Sequence, residues 1–212
     1  MRNINLIKKI ALITCVNHTD YLRFTLSFNR WYFDEVYILT SSQDKLTHHL
    51  ASIFDCKIFS TEKFYENGSF NRGAAQNHFL EEVAQENQWI FLMDSDIILK
   101  KNINMNSFNQ KYLYSRRRRL IYTVEKLYDF LFSRSESNEF ECPGDSGWGY
   151  LQIFNTNFIK TYPCGYTGCR DSDSKFRGLF EKVITLREEC IHLGPHGQNH
   201  FGRTTKEFKY DN

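Results

Sequence analysis

The run Trp89-Ile90-Phe91-Leu92-Met93-Asp94-Ser95-Asp96-Ile97-Ile98-Leu99 constrains this chain more than any other stretch. Its first half has the length and aromatic content of a buried strand. A buried strand ordinarily ends in a turn residue, not in two acids. Leaving two unpaired carboxylates in an apolar interior would cost several kcal/mol each, or force them to hold protons. Two arrangements escape that cost. The aspartates can sit in a solvated turn. Alternatively they can share a divalent cation at the strand's carboxyl end, where Mg²⁺ or Mn²⁺ takes carboxylate oxygens and completes its shell with substrate phosphates. The D-x-D spacing by itself does not choose between them.

The pattern leading up to that run sets the fold. Residues 10–15 read as a strand, and 20–30 as a helix with Leu22, Leu26 and Phe33 on one face. Residues 36–40 read as a second strand, and 44–54 as a second helix with Leu46, Leu50, Ile53 and Phe54 aligned. A short third strand at 57–59 precedes a third helix at 71–86, which carries Ala75, Phe79, Leu80 and Val83 at helical spacing; the fourth strand is 90–93. This β-α-β-α-β-α-β order predicts an α/β protein with a Rossmann-like, mainly parallel sheet and helices on both faces. Ligands of such sheets bind beyond the carboxyl ends of the strands, where Asp94 and Asp96 would lie. The second half is less regular. Arginines 116–119 lead into a strand at 120–124 and read as a solvated edge. Residues 136–147 read as a loop, 149–154 as a strand, 162–168 as irregular and 172–180 as a short helix. Residues 183–186 and 190–193 read as two closing strands. With no repeats and no composition break, residues 1–212 read as a single domain.

Composition excludes several classes. A formal net charge of +2 over 212 residues gives no basis for nucleic-acid binding. No apolar run approaches the roughly 20 residues that a transmembrane helix needs. Residues 1–9 are charged and precede no signal-peptide core, so a cytoplasmic location is expected. Of the six cysteines, Cys15 and Cys56 fall in or beside strand patterns and read as reduced core thiols. A zinc set of Cys164, Cys169, Cys190 and His192 matches no zinc-finger spacing.

Taken in order, several motifs resemble nucleotide-sugar glycosyltransferases of the GT-A fold, close to the family 2-like type. The segment I-T-C-V-N at 13–17 resembles the family's first strand and its nucleotide-facing end. V-Y-I-L-T-S-S-Q-D at 36–44 resembles the second strand and the uridine-side loop. F-N-R-G-A-A-Q-N at 70–77 resembles the family's F-N-K-G-x-A-x-N, with Arg72 in place of Lys. Asp94-Ser95-Asp96 matches its D-x-D. S-G-W-G-Y-L-Q at 146–152 resembles its Gly-rich acceptor-side segment, Asp171-Ser172-Asp173 stands in place of its acidic catalytic motif, and His192 stands where many members carry a late metal-ligating histidine.

The resemblance implies a nucleotide-binding half to about residue 99, with an acceptor-side half and tail from about residue 100. It implies that Asp96 ligates a metal, that Asp94 touches it through water or holds the ribose, and that His192 is the third ligand; an imidazole beside carboxylates tilts the choice from Mg²⁺ towards Mn²⁺. Arg72 and Asn77 would meet phosphate oxygens at a helix amino end. Thr14, Asn17, Ser41 and Asp44 would face base and ribose, although Asp44 also reads as a plain helix N-cap. Asp171 or Asp173, the latter preferred, would take the acceptor hydroxyl proton; a helix cap is the competing reading. Trp148 would stack on a sugar or sit in the core. His196 and Arg203 would close a tail over the diphosphate. The implied activity is metal-dependent transfer of a sugar from a nucleotide-sugar donor, a UDP-sugar, to a hydroxyl acceptor, a glycan. The alternatives are a nucleotidyltransferase acting on a sugar phosphate and a non-catalytic nucleotide- or carbohydrate-binding module. Against the former, the segment C-V-N-H-T at 15–19 is neither Gly-rich nor basic, as a triphosphate-binding loop would be.

Overall fold

The computed structural model describes residues 8–68, 70–132, 149–159, 161–163 and 169–194. Strand β1 (Lys8–Thr14) is followed by α1 (Thr19–Asn29), β2 (Glu35–Thr40), α2 (Lys45–Ile53), β3 (Lys57–Ser60), α3 (Arg72–Glu82) and β4 (Gln88–Asp94). Then come β5 (Ile97–Leu99), β6 (Tyr112–Ile121), α4 (Val124–Phe132), β7 (Leu151–Asn155), α5 (Cys169–Arg177) and β8 (Lys182–Leu193). The strands form one sheet in the order β3-β2-β1-β4-β7-β6-β8-β5. The first four are parallel, β7 runs antiparallel to β4 and β6, β6 and β8 are parallel, and β5 closes the edge antiparallel to β8. The result is a mixed, mainly parallel α/β sheet. No described helix is long and apolar enough to cross a membrane.

Alternation along the central strands builds two cores. Ala11, Ile13, Phe91 and Met93 face one side and pack with Leu22 and Leu26 of α1. Ile10, Leu12, Ile90 and Leu92 face the other, against Ala75, Phe79 and Leu80 of α3 and Phe176 of α5. Strand β4 is therefore covered on both faces and is apolar almost throughout, as central parallel strands are. Cys15, Cys56 and Cys190 are free, buried thiols; burial pushes Cys15 and Cys190 up to about 12, and Cys56 up to about 11.

Four expectations need correction. On α2, Leu46 and Ile53 are 71% and 63% exposed, while Thr47 and Ala51 face the core. The rotation is set at the helix start: Asp44 caps Thr47 N at 3.2 Å and accepts the Thr47 hydroxyl at 2.6 Å, and Thr47 Oγ1 also meets Cys15 Sγ at 3.4 Å. Phe33 lies beyond α1, after a 3₁₀ turn at Arg30–Tyr32, and packs edge-on against Phe91 at 4.9 Å. The arginine run is no solvated edge. It lies inside β6 with alternating sides, so Arg116 is 1% and Arg118 6% exposed. The closing strands are one, β8. Its register against β6 shifts between Arg116↔Leu186 and Arg118↔Cys190, and the intervening 187–189 carry charge, which interrupts the apolar pattern.

Strand β5 was not legible, being three residues long. Its free edge is held by α1: Asn29 Nδ2 donates to Ile97 O at 2.6 Å, and Leu99 N donates to Asn29 Oδ1 at 2.9 Å. Thr25 Oγ1 donates to Ser95 O at 2.8 Å. A buried amide here acts as a strand partner, which removes an unpaired edge and fixes the turn between Asp94 and Asp96.

Candidate active site

The two aspartates bracket the turn from β4 into β5. Pairing of β5 with β8 sets Ile97 opposite His192, and Leu193 N donates to Asp96 O at 2.9 Å. His192 is thereby brought to the turn, with Nε2 3.6 Å from Asp96 Oδ2. Asp96 Oδ1 is buried and has no hydrogen-bond partner among the described residues. Burial pushes Asp96 up to about 7, opposed first by its own backbone N–H and then by the nearby Arg118 and Arg72 guanidinium groups. Asp94 lies beside Thr14 at the ends of β4 and β1. Burial raises Asp94 to about 6, opposed by Arg72, with Asp96 pushing the same way as burial.

Arg72, the first residue of α3, ties this turn to α5. Nη1 donates to Asp94 Oδ1 at 2.6 Å; Nη2 donates to both Asp173 oxygens, at 2.8 and 3.0 Å. Tyr162 donates its hydroxyl to Asp173 Oδ1. Gly149 has a defined job in this packing. A Cβ there would stand 2.0 Å from Asp173 Oδ2 and 2.6 Å from Arg72 Nη2, so only glycine lets the ion pair lie against the backbone. Asn77 is taken up elsewhere: its Oδ1 accepts from Tyr162 N at 3.1 Å and its Nδ2 donates to Glu81 at 2.9 Å. It ties residues 161–163 to α3.

At the ends of β1 and β2, Thr14 Oγ1 accepts from Gln76 at 3.4 Å. Asn17 adopts a left-handed conformation (φ 60°), and its N–H donates to Asp44 Oδ2 at 2.7 Å. Ser41 is buried, and its carbonyl accepts from Asp44 N at 3.3 Å. The Asp44 carboxylate is thus spent on Asn17, Thr47 and the helix cap, which makes it a positioning group for this corner. Trp148, His196, Arg203 and the side chain of Asp171 lie outside the described residues.

Arg118 is the residue that sequence reasoning set aside. Its guanidinium lies 4.5 Å over the Tyr150 ring, whose hydroxyl donates to Arg116 O at 2.6 Å and whose carbonyl accepts from Asp94 N at 3.0 Å. A period-two reading begun at Tyr112 would have placed Arg116 and Arg118 on an inner face. Tyr162 belongs to no motif, and Gln152 enters only as the last residue of the segment at 146–152, with no role of its own.

The residues fit a divalent ion that shares its shell with substrate. Among the described residues no three His, Cys, Asp or Glu side chains gather around one point. Asp96 and His192 converge, while Asp94 is turned to Arg72. A carboxylate with one oxygen, Oδ1, unpartnered and the other, Oδ2, 3.6 Å from an imidazole suits Mn²⁺ or Mg²⁺ as a donor pair, with phosphates supplying further oxygens.

One consequence concerns pH. Asp94 and Asp96 both have folded-state values above the ordinary 3.8, so the folded protein holds more protons than the unfolded chain between about pH 4 and 7. Their contribution to the metal-free protein's stability is present at low pH and is lost as pH rises through about 6 and 7. Urea denaturation at pH 5 and pH 8 should show that fall, and Asp96→Asn should flatten it. In Mn²⁺ the trend should reverse, because the ion competes with those protons.

No protein-family model matches the chain, and no curated protein matches it in sequence. Solved structures do. Glucosyl-3-phosphoglycerate synthase from Mycobacterium tuberculosis, in complex with Mn²⁺, uridine diphosphate and glucosyl-3-phosphoglycerate, aligns over 92% of this chain and 73% of its own at 14% identity, with a TM-score of 0.53. Its complex with Mg²⁺ and uridine diphosphate aligns over 92% and 72% at 14% identity, with a TM-score of 0.52. Mannosyl-3-phosphoglycerate synthase from Rubrobacter xylanophilus aligns over 91% and 68% at 11% identity, with a TM-score of 0.52. At such identities the likeness is one of architecture, and the chain has the GT-A fold of these sugar-transferring synthases.

Proposed function

We propose that this chain is a metal-dependent glycosyltransferase, one catalytic domain that moves a sugar from a UDP-sugar donor to an acceptor hydroxyl. The observation that carries the reading is the end of β4. There Asp96 keeps one buried oxygen, Oδ1, with no hydrogen-bond partner among the described residues, its Oδ2 lies 3.6 Å from His192 Nε2, and the Arg72 guanidinium is bonded to Asp94 two residues before. Mn²⁺ or Mg²⁺ held by Asp96 and His192, with Asp94, would supply a Lewis acid that offsets charge on the departing diphosphate.

The protein's own groups do the rest. Arg72 presents a planar guanidinium at a helix amino end, the arrangement that suits phosphate oxygens. A diphosphate would compete with Asp94 and Asp173 for it. Asp173, so released, stands as the base for the acceptor proton. Thr14, Asn17 and Ser41 border the place for base and ribose. For the acceptor, the solved neighbours point away from the glycan expected from sequence and towards a small phosphorylated hydroxy compound, since one was captured with UDP-glucose and phosphoglyceric acid. A cytoplasmic location goes with this reading, since Cys15, Cys56 and Cys190 are free thiols. The nucleotidyltransferase alternative is disfavoured by the loop after β1, where the Asn17 N–H is committed to Asp44 rather than open to a triphosphate.

The test is a thermal-shift screen of nucleotides and nucleotide-sugars with and without Mn²⁺. UDP and one UDP-sugar should stabilise the protein only with the metal, by about 2.7 kcal/mol at 100 times the dissociation constant. No metal-dependent stabilisation by any uridine compound would remove the reading. Pyrophosphate release from a nucleoside triphosphate would replace it with the alternative.

A further inference from the structure

We propose that Tyr162, backed by Gln152, is a positioning residue that holds the Asp173 carboxylate for proton transfer; the inference rests on the glycosyl-transfer reading above. Among the described residues Asp173 has two holds, Arg72 and Tyr162. The first is the group that a donor diphosphate would draw away. Once it goes, the phenol hydroxyl is the hold that remains at the moment the base is needed.

Tyr162 is built for that task. It is buried, its ring stacks on Phe176 with centroids 4.4 Å apart, and its N–H is fixed by Asn77 Oδ1 at 3.1 Å. Burial, with the Asp173 charge adding, holds the phenol well above its ordinary value, so it remains a donor at neutral pH. Behind it, Gln152 Oε1 lies 3.2 Å from the hydroxyl, and the buried Gln152 Nε2 has no hydrogen-bond partner among the described residues. A hydroxyl has one proton and cannot give it to both Gln152 Oε1 and Asp173. Turning the amide over resolves the conflict, since amide O and N exchange places at no steric cost. Gln152 then donates to the Tyr162 oxygen, and the phenol proton is committed to Asp173. The chain of donors runs Gln152 to Tyr162 to Asp173, from β7 across to α5.

The test uses the full chain with Mn²⁺ and UDP-glucose, reading UDP release to water. Tyr162→Phe keeps the ring and its stacking but removes the donor. It should lower kcat by about tenfold or more, the scale of one hydrogen bond to a charged group, while KM for UDP-glucose and the thermal shift by UDP·Mn²⁺ stay within about twofold of the parent. Gln152→Leu should act in the same direction, and the double variant should fall little below Tyr162→Phe, because both act through one carboxylate. As a readout that needs no turnover, carbodiimide labelling of Asp173 in the UDP·Mn²⁺ complex should rise several-fold in Tyr162→Phe. Unchanged labelling, an unchanged kcat, or losses of the two variants that multiply would each overturn the positioning role while leaving the transferase reading intact. A parent protein that binds no UDP with Mn²⁺ would instead overturn that reading, and this inference with it.

Discussion

Asp96→Asn is expected to abolish Mn²⁺-dependent binding of UDP and, in the same molecule, to stabilise the metal-free protein at pH 8. The two effects have one cause. Asp96 is part-buried, its side chain 19% exposed, with Oδ1 buried and lacking a hydrogen-bond partner among the described residues, and its pKa of about 7 means that the fold favours the neutral form even with Arg118 and Arg72 nearby. Asparagine keeps the shape and removes the charge. The desolvation of an ionised carboxylate is thereby relieved, the trade between stability and activity that the proposed metal role of Asp96 predicts. On the binding side, changes to groups merely behind a ligand cost roughly 10–100-fold in metal affinity, so loss of a ligand itself should cost at least that. The measurement is a pair of melting curves for parent and variant, each with and without Mn²⁺ and UDP. A variant that melts lower than the parent without metal, or that keeps the metal-dependent shift by UDP, would refute the assignment of Asp96.

The first half of the fold was legible because it rests on local signals. Apolar strands at 10–15, 36–40 and 90–93 and the helices between them are short-range patterns, and the order of elements fixes a parallel sheet with few options. The aspartates could be placed at a strand end for the same reason. What failed was decided by polar contacts and strand pairings that apolar periodicity does not register. The face of α2 follows from Thr47 bonding to Asp44 and Cys15, not from the alignment of Leu46 and Ile53. Strand β5 exists because Asn29 and β8 pair with it; three residues carry no period. Burial of Arg116 and Arg118 contradicts composition, since arginine is rarely buried, and only the partner strands β7 and β8 reveal it. His192 is expected as a ligand from its resemblance to a family pattern; its nearness to Asp96 comes from the β5–β8 register. Tyr162 sits in a stretch that reads as irregular, and its role is visible only when Asp173 and Gln152 are seen on either side of it.

Arg72→Met should be the most destabilising single change at this site, and its cost should depend on pH. The guanidinium bonds three carboxylate oxygens from two distant elements, Asp94 on β4 and Asp173 on α5, and its side chain is only 13% exposed. Removing one partner of such a pair leaves uncompensated charge, a loss of about 3–5 kcal/mol for fully buried pairs; partial exposure here argues for the lower end. At pH 8 the ionised Asp94 would lie near the Asp173 carboxyl with no cation between them. Asp94 already takes up its proton near pH 6 with Arg72 in place, and without that cation its pKa must rise further. At pH 5 it is therefore neutral, the repulsion is gone, and the cost of Arg72→Met should shrink. Adding Asp94→Asn to Arg72→Met should recover much of the stability at pH 8, whereas Arg72→Lys should keep one ion pair and lose less. Urea denaturation of these variants at pH 5 and pH 8 decides the matter. A loss that is equal at both pH values, or that Asp94→Asn does not relieve, would mean that Arg72 matters for its packing, and that it is not the charge a diphosphate would have to win from Asp94 and Asp173.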